Sequence, residues 1–436
     1  MNAPIDPAAL DASAPAALAE VPAEVTLSIC VPTYNRAHFL EYLFPHLREA
    51  CATFDFTYEI VVSDNCSPDN TAEVVERFRA EGMPIRYFRQ NENKPSANIL
   101  SVYHRARGKY VVYVADDDLI IPEALADNVR FLMANPEIRA CYTPWEVYDD
   151  LNKVSGGYFY HQAEELMVFA PGQELELFGA LVRDHIFPET VIYRADAARS
   201  IIAAPRFCYW AFSYLAGVVA EGPVAFRNVP FYRSVTLTPV VSNRGQAGID
   251  GAMTDWDSYR GGLEYLIFSF LRRSHLAAGP DFKSTVRDLA DHFIATRLKV
   301  ALRLWLARRD YCRAYEIVVR LQYLDPAGIE DLEIPENLPL LVNAQTLAVL
   351  ANGIAEIDRV VVAGVEDGQA LGALFRDAGL ERRIFVVPPP EQPTEKHLRN
   401  SLVFLADESL RQTFLDQGYS PGLIVTEREV RGSVLL

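Results

Sequence analysis

Three consecutive carboxylates, Asp116, Asp117 and Asp118, follow directly on the apolar run Tyr110-Val111-Val112-Tyr113-Val114. A run that short and that rich in Val and Tyr predicts a buried strand, which puts the acids at its carboxyl end. In an open parallel sheet that edge is where ligands bind, at the crevice where strand order reverses. Adjacent carboxylates repel one another, so holding them together costs free energy unless a cation or a hydrogen-bond network offsets it. A hard divalent ion, Mg²⁺ or Mn²⁺, kept by one or two carboxylates plus the phosphates of a substrate, meets that need. The other reading is a solvated acidic turn ahead of a helix that starts at Pro122.

Two further polar clusters have the same character. Pro32-Thr33-Tyr34-Asn35-Arg36 supplies hydroxyl, amide and guanidinium groups suited to phosphate and ribose. In the segment from Ser63 to Thr71, Asp64 is of the type that accepts from the N–H of a pyrimidine base, while Ser67 or Asp69 is placed to cap the next helix. The elements that would carry these clusters alternate. Strands are predicted over 27–32, 59–64, 85–90 and 110–114, and helices over 37–52, 70–80 and 96–107. That alternation implies βαβ units and a mostly parallel sheet, with the three clusters at its carboxyl edge.

Composition narrows the class. The chain of 436 residues carries 41 basic and 58 acidic side chains, a formal charge of −17, which argues against nucleic acid as a partner. An anionic substrate then needs a locally placed cation. The six cysteines show neither a CxxC pair nor a zinc spacing and read as thiols of a reducing cytoplasm. No apolar run reaches the ~20 residues of a bilayer span, and the first residues lack the pattern of a signal peptide. The expectation is a cytoplasmic protein, at most peripheral at the inner membrane face.

The four segments VPTYNR (31–36), VVSDNCSPDNT (61–71), NENKPSAN (91–98) and RGKYVVYVADDDLIIPEAL (107–125) resemble, in order and spacing, the nucleotide-sugar half of the family 2 glycosyltransferases. Their form is most similar to the branch that includes abequosyltransferases. The resemblance covers about residues 27–143 and continues weakly to about 244. It implies the GT-A type of α/β fold and a nucleoside-diphosphate sugar donor held by Pro32, Thr33, Asn35, Arg36, Asp64, Asn98 and Asp116. The triplet Asp116, Asp117 and Asp118 would hold the metal and ribose in one of two registers. Either Asp117 ligates alone with Asp116 on the ribose, or Asp116 and Asp118 ligate together. Lys94-Pro95 stands where the family usually has a Gly before the third helix.

Beyond residue 143 the general base is sought. Family members often place it in a helix beside a Trp, but Cys208-Tyr209-Trp210-Ala211-Phe212 contains no acid. Upstream, the candidates are Asp184 and Glu189, and Glu189 is preferred because it directly precedes a strand predicted over 191–193. His185 is a further candidate metal ligand or a structural histidine. The aromatic residues Trp145, Tyr148, Tyr158, Phe159 and Tyr160 are either a sugar-stacking wall or packing. Over 251–324 the pattern is helical, and Arg297, Lys299, Arg303, Arg308, Arg309, Arg313 and Arg320 form a basic stripe. The stripe faces the inner membrane surface or an anionic acceptor, or it pairs with the chain's own surplus acids. A second α/β pattern, lacking the GxGxxG fingerprint, follows to the end.

The expected organisation is an Ala/Pro-rich disordered tail (1–24), a GT-A glycosyltransferase domain (25–250), a helical extension (251–335) and a small Rossmann-like module (336–436). The expected activity is inverting, metal-dependent transfer of a sugar to a hydroxyl of a glycan or lipid-linked glycan in surface polysaccharide biosynthesis. A sugar-nucleotide-forming nucleotidyltransferase and an inactive sugar-nucleotide-binding scaffold are the alternatives. The first would want a Gly-rich basic loop after the first strand, which Pro32 to Arg36 does not provide.

Overall fold

The computed structural model describes residues 24–203, 206–242, 251, 253–330, 332–365 and 368–433. The expected disordered tail therefore lies, apart from Glu24, outside the described residues. The chain divides into two compact units, one of Met1–Ala247 with Asp257–Phe293 and one of Gly248–Trp256 with Ile294–Leu436. The helical segment expected to stand alone over 251–335 is thus shared between them.

In the first unit the strands are β1 (Leu27–Thr33), β2 (Tyr58–Asp64), β3 (Ile85–Arg89), β4 (Tyr110–Tyr113), β5 (Leu119–Ile120), β6 (Ala140–Tyr142), β7 (Glu146–Asp149), β8 (Val154–Tyr158), β9 (Leu166–Phe169), β10 (Val191–Arg194), β11 (Val224–Arg227) and β12 (Tyr232–Leu237). Among the described residues they form an eight-stranded sheet in the order β3-β2-β1-β4-β10-β6-β11-β9 and a four-stranded sheet in the order β5-β12-β7-β8. The half β3-β2-β1-β4 is parallel throughout, as the alternating pattern predicts. The other half is mixed, because β10 runs antiparallel to both β4 and β6. Order reverses at β1, with β2 on one side and β4 on the other, so the crevice lies between β1 and β4.

Helices α1 (Ala37–Cys51), α2 (Thr71–Ala80) and α3 (Pro95–Arg105) link the parallel strands. Each buries one apolar stripe, as Leu40, Leu43, Phe44 and Leu47 of α1 illustrate. α3 and α4 (Pro122–Ala134) start on a proline, whose missing N–H would have no helical acceptor there in any case. The turn into β4 needs Gly108, since a Cβ there would stand 2.7 Å from the backbone N and Oγ of Ser28. Asp69 serves two helix starts at once: its carboxylate accepts from the Thr71 backbone N–H at 3.2 Å and from the Ala37 N–H at 3.0 Å.

In the second unit β13 (Arg359–Ala363), β14 (Phe385–Val387), β15 (Ser401–Leu405) and β16 (Ile424–Thr426) form a parallel sheet in the order β14-β13-β15-β16. The second α/β pattern thus forms a parallel sheet, and its segment 408–416 is a 3₁₀ turn at Glu408–Leu410 followed by a short helix at Arg411–Asp416. Two residues of its first turn, 366 and 367, lie outside the described residues. The members of the basic stripe differ in their surroundings, with Arg303, Arg308, Arg309 and Arg313 exposed. Arg297 is buried, Lys299 pairs with Asp325 at 2.7 Å, Arg308 and Arg313 lie over the ring of Trp305, and Arg320 lies over Trp256. The reason is length: a long cationic stem lays its methylenes or its planar head on the nearest apolar surface. No described helix is long and apolar enough to cross a membrane.

Candidate active site

The β1 and β4 strands pair in parallel with Cys30 opposite Tyr113, and three residues further on the same register carries Thr33 to Asp116. The Thr33 hydroxyl donates to Asp116 Oδ2 at 2.7 Å. The Arg36 guanidinium donates to Asp116 Oδ1 at 2.9 Å and to Asp117 Oδ2 at 2.6 Å. Thr33, Arg36, Asp116 and Asp117 thus form one group at the switch-point crevice. Burial pushes the Asp116 carboxyl up to about 6, against the pull of the Arg36 charge. Asn35 is exposed at φ 54°, a left-handed conformation that Asn tolerates better than most residues, and its N–H is held by Ser67 Oγ at 2.9 Å. Pro32 lies half-buried at the end of β1.

Asp118 is turned the other way. It accepts from the Tyr232 hydroxyl at 2.8 Å and from the Val235 N–H at 2.9 Å, both on β12. Asp64 is fully buried; it accepts from the Tyr87 hydroxyl at 2.6 Å and the Ser67 N–H at 2.8 Å, with Arg89 at 3.7 Å. Asn98 is also buried, donating to the Ser63 carbonyl at 2.8 Å and accepting from the Ser63 hydroxyl at 2.7 Å, so it ties α3 to β2. The Lys94 N–H, where the resemblance leads one to expect Gly nearby, is held by the Asn65 side chain at 2.7 Å. Sequence reading missed Tyr87, Arg89 and Tyr232. Tyr87 and Arg89 had a signal, since they alternate on the strand next to Asp64; Tyr232 had none.

Because β10 is antiparallel to β4, with Ile192 opposite Val112, the chain entering β10 at Glu189 and the chain leaving β4 meet at the same edge. Glu189 Oε1 accepts from the Tyr209 hydroxyl at 2.5 Å. Tyr209 immediately precedes the helix Trp210–Glu221, so the carboxylate missing from that segment's sequence is brought to it in space. Asp184 is held differently: the Arg183 guanidinium grips both its oxygens at 2.8 and 2.9 Å, and the Ala163 N–H adds a third bond at 3.0 Å. The Arg183 bonds keep its carboxyl below the usual range, outweighing its partial burial.

His185 stacks on Phe293 with ring centroids 4.2 Å apart and meets the edge of Phe187. Among the described residues no group of three or more His, Cys, Asp or Glu side chains is placed to hold a metal, so His185 and the three aspartates do not form a ready-made cage. Trp145 stacks on Phe159 at 4.3 Å and is buried, as are Tyr148 and Tyr160, while Tyr158 is exposed; most of this stretch is packing.

Residues 28–197 match the family model described as Glycosyl transferase family 2. Abequosyltransferase RfbV of Salmonella typhimurium is 33% identical over 117 residues, 26% of this chain and 35% of that protein. A poly(ribitol-phosphate) beta-N-acetylglucosaminyltransferase, TarS, of Staphylococcus aureus is 32% identical over 109 residues, 24% of this chain and 18% of that protein. GalNAc(5)-diNAcBac-PP-undecaprenol beta-1,3-glucosyltransferase of Campylobacter jejuni is 34% identical over 103 residues, 23% of this chain and 32% of that protein. The chain thus spans between 18% and 35% of the length of these relatives. Among solved structures, S. aureus TarS 1-349 aligns over 76% of this chain and 82% of that one at 16% identity, with a TM-score of 0.43.

Proposed function

Residues 28–197 form a glycosyl transferase family 2 domain, and from that premise we propose that the chain transfers a sugar from a nucleoside-diphosphate sugar to a hydroxyl of a glycan or lipid-linked glycan, with inversion and with a divalent metal. The single observation that carries the reading is the group Thr33, Arg36, Asp116 and Asp117 at the crevice between β1 and β4. The donor set fits Mg²⁺ or Mn²⁺: two carboxylates already converge on a cation, the Arg36 guanidinium, and substrate phosphates would complete a coordination shell that carboxylates alone do not. Asp116 and Asp117 would hold the ion, which when bound supplies Lewis-acid neutralisation of the departing diphosphate. Relatives named as acting on undecaprenol-linked and poly(ribitol-phosphate) acceptors favour an anionic, carrier-linked acceptor here as well.

This chain's residues divide the remaining work. Thr33 fixes the Asp116 carboxylate, Asn35 and Arg36 face the donor, and Asp64 with Asn98 shapes the loop wall behind it. Glu189 takes the proton of the acceptor hydroxyl as its oxygen attacks the anomeric carbon and the bond from that carbon to the diphosphate breaks. The anomeric centre inverts because attack and departure are in line. The test is turnover on a panel of UDP-, GDP-, CDP- and dTDP-sugars with and without Mn²⁺. Asp117→Asn should abolish turnover with the far-UV spectrum unchanged, and full activity in excess chelator would overturn the metal.

A further inference from the structure

Arg36 occupies the place between Asp116 and Asp117 that a cation of the substrate complex would take. Its guanidinium is 2.9 Å from Asp116 Oδ1 and 2.6 Å from Asp117 Oδ2. The three side chains are not equally fixed. The carboxylates are 6% and 8% exposed, whereas the arginine is 37% exposed and follows the left-handed Asn35 at the mouth of α1. Asp116 is further pinned by the Thr33 hydroxyl, and the loop that carries both acids is anchored by Asp118 on β12. The acids belong to the scaffold and the guanidinium is the part that can leave. Together the two carboxylates and this guanidinium sum to −1. Exchanging the guanidinium for a divalent ion neutralises the pair but releases a positive side chain beside a positive ion, which is unfavourable until an anion arrives to take it.

We infer that Arg36 is an exchangeable counter-ion that couples the divalent metal to the diphosphate: it guards the Asp116–Asp117 pair before substrate binds and moves to the diphosphate when metal and nucleotide enter together. This rests on the reading of that pair as the cation site. Metal alone must displace Arg36 into solvent beside the bound ion, without an anion to re-pair it. Nucleotide alone finds the guanidinium already engaged. Together each relieves the other, and by linkage the metal tightens nucleotide binding by the same factor as the nucleotide tightens metal binding.

The experiment is a Mn²⁺ titration followed by loss of the free-ion electron paramagnetic resonance signal, on the full chain, without nucleotide and with UDP or GDP, for the wild type, Arg36→Gln, Arg36→Lys and Asp117→Asn. In the wild type, nucleotide should tighten Mn²⁺ by about tenfold or more, within the ordinary range of coupling between sites. Arg36→Gln should bind Mn²⁺ alone more tightly than the wild type by a similar factor and gain less from nucleotide than the wild type does, keeping only the part of the coupling that direct phosphate ligation supplies. Arg36→Lys, which keeps the charge, should retain the competition and guards against a folding artefact in the Gln variant. Equal Mn²⁺ affinity of the wild type and Arg36→Gln without nucleotide, or undiminished coupling in Arg36→Gln, overturns the inference. If Asp117→Asn leaves Mn²⁺ binding intact, the carboxylate pair is not the cation site and the underlying reading fails with it. If Asp117→Asn abolishes binding while Arg36→Gln does not strengthen it, only the counter-ion role fails.

Discussion

Glu189 and Asp184 differ in the partners that hold them: Tyr209 for Glu189, Arg183 and the Ala163 N–H for Asp184. Asp184 is gripped through both oxygens by a guanidinium, so protonating it means giving up a bidentate ion pair. Glu189 accepts from the Tyr209 phenol, which orients the carboxylate. Glu189→Gln keeps the size and removes the proton acceptor; kcat should fall by ~100-fold or more, with Mn²⁺ and nucleotide affinity unchanged. Asp184→Asn should stay within a few-fold of the wild type. Tyr209→Phe should lower kcat by about tenfold and move the acid limb of the pH–rate profile to higher pH, because a hydrogen bond to the charged form is lost. An unshifted profile with unchanged kcat would make Tyr209 a packing residue. The position of Glu189 at the edge where β10 begins was legible because it sits just before a strand. Tyr209 was not, since its hydroxyl reaches a carboxylate 20 positions away and nothing in local periodicity reports a tertiary hydrogen bond.

At the scale of elements, the acidic triplet is divided between two sheets. Asp116 and Asp117 face the crevice of the large sheet, and Asp118 reaches Tyr232 and Val235 of β12 in the small one. The Tyr232 hydroxyl also accepts from the Ala115 N–H at 3.2 Å, so one phenol closes the loop at both ends. Tyr232→Phe leaves a part-buried N–H and a buried carboxylate each one hydrogen bond short, a cost of about 1–3 kcal/mol. The expected result is a lower melting temperature and weaker Mn²⁺ binding in the presence of nucleotide, without loss of the fold. Asp118→Asn should retain more Mn²⁺ affinity than Asp117→Asn; the reverse ranking would restore the register in which Asp118 is a ligand. The parallel half of the large sheet was readable because its strands are short, apolar and separated by amphipathic helices. The small sheet was not. Its β5 is two residues long and its β8 carries two glycines and is exposed throughout, so neither shows the alternation that marks a half-buried strand. The same holds for the partner of Asp118, which lies 114 positions downstream.

At the scale of the molecule, the chain's surplus of acid coexists with cations that pair locally, as Lys299 does with Asp325 at 2.7 Å. Lys299→Glu should lower stability by breaking its pair with Asp325 rather than change vesicle binding. The two compact units then make a calorimetric prediction. The proposed donor residues all belong to the first unit, and a ligand that binds only the native state stabilises by about 2.7 kcal/mol at 100 times its dissociation constant. Scanning calorimetry with Mn²⁺ and the preferred nucleotide should therefore show one transition moving up by roughly 5 °C or more while a second stays in place. The second is identified by Asp358, whose bonds to Arg359 and Lys396 hold its carboxyl down at about 2. A depressed folded pKa contributes stability that is complete above the ordinary carboxylate range and is lost as pH falls through about 2. Asp358→Asn should accordingly lower only the ligand-insensitive transition at pH 7, with the gap to the wild type narrowing as the pH falls below about 4. If ligand and Asp358→Asn move the same transition, the units unfold as one cooperative body, and the second unit is part of the catalytic fold's own stability.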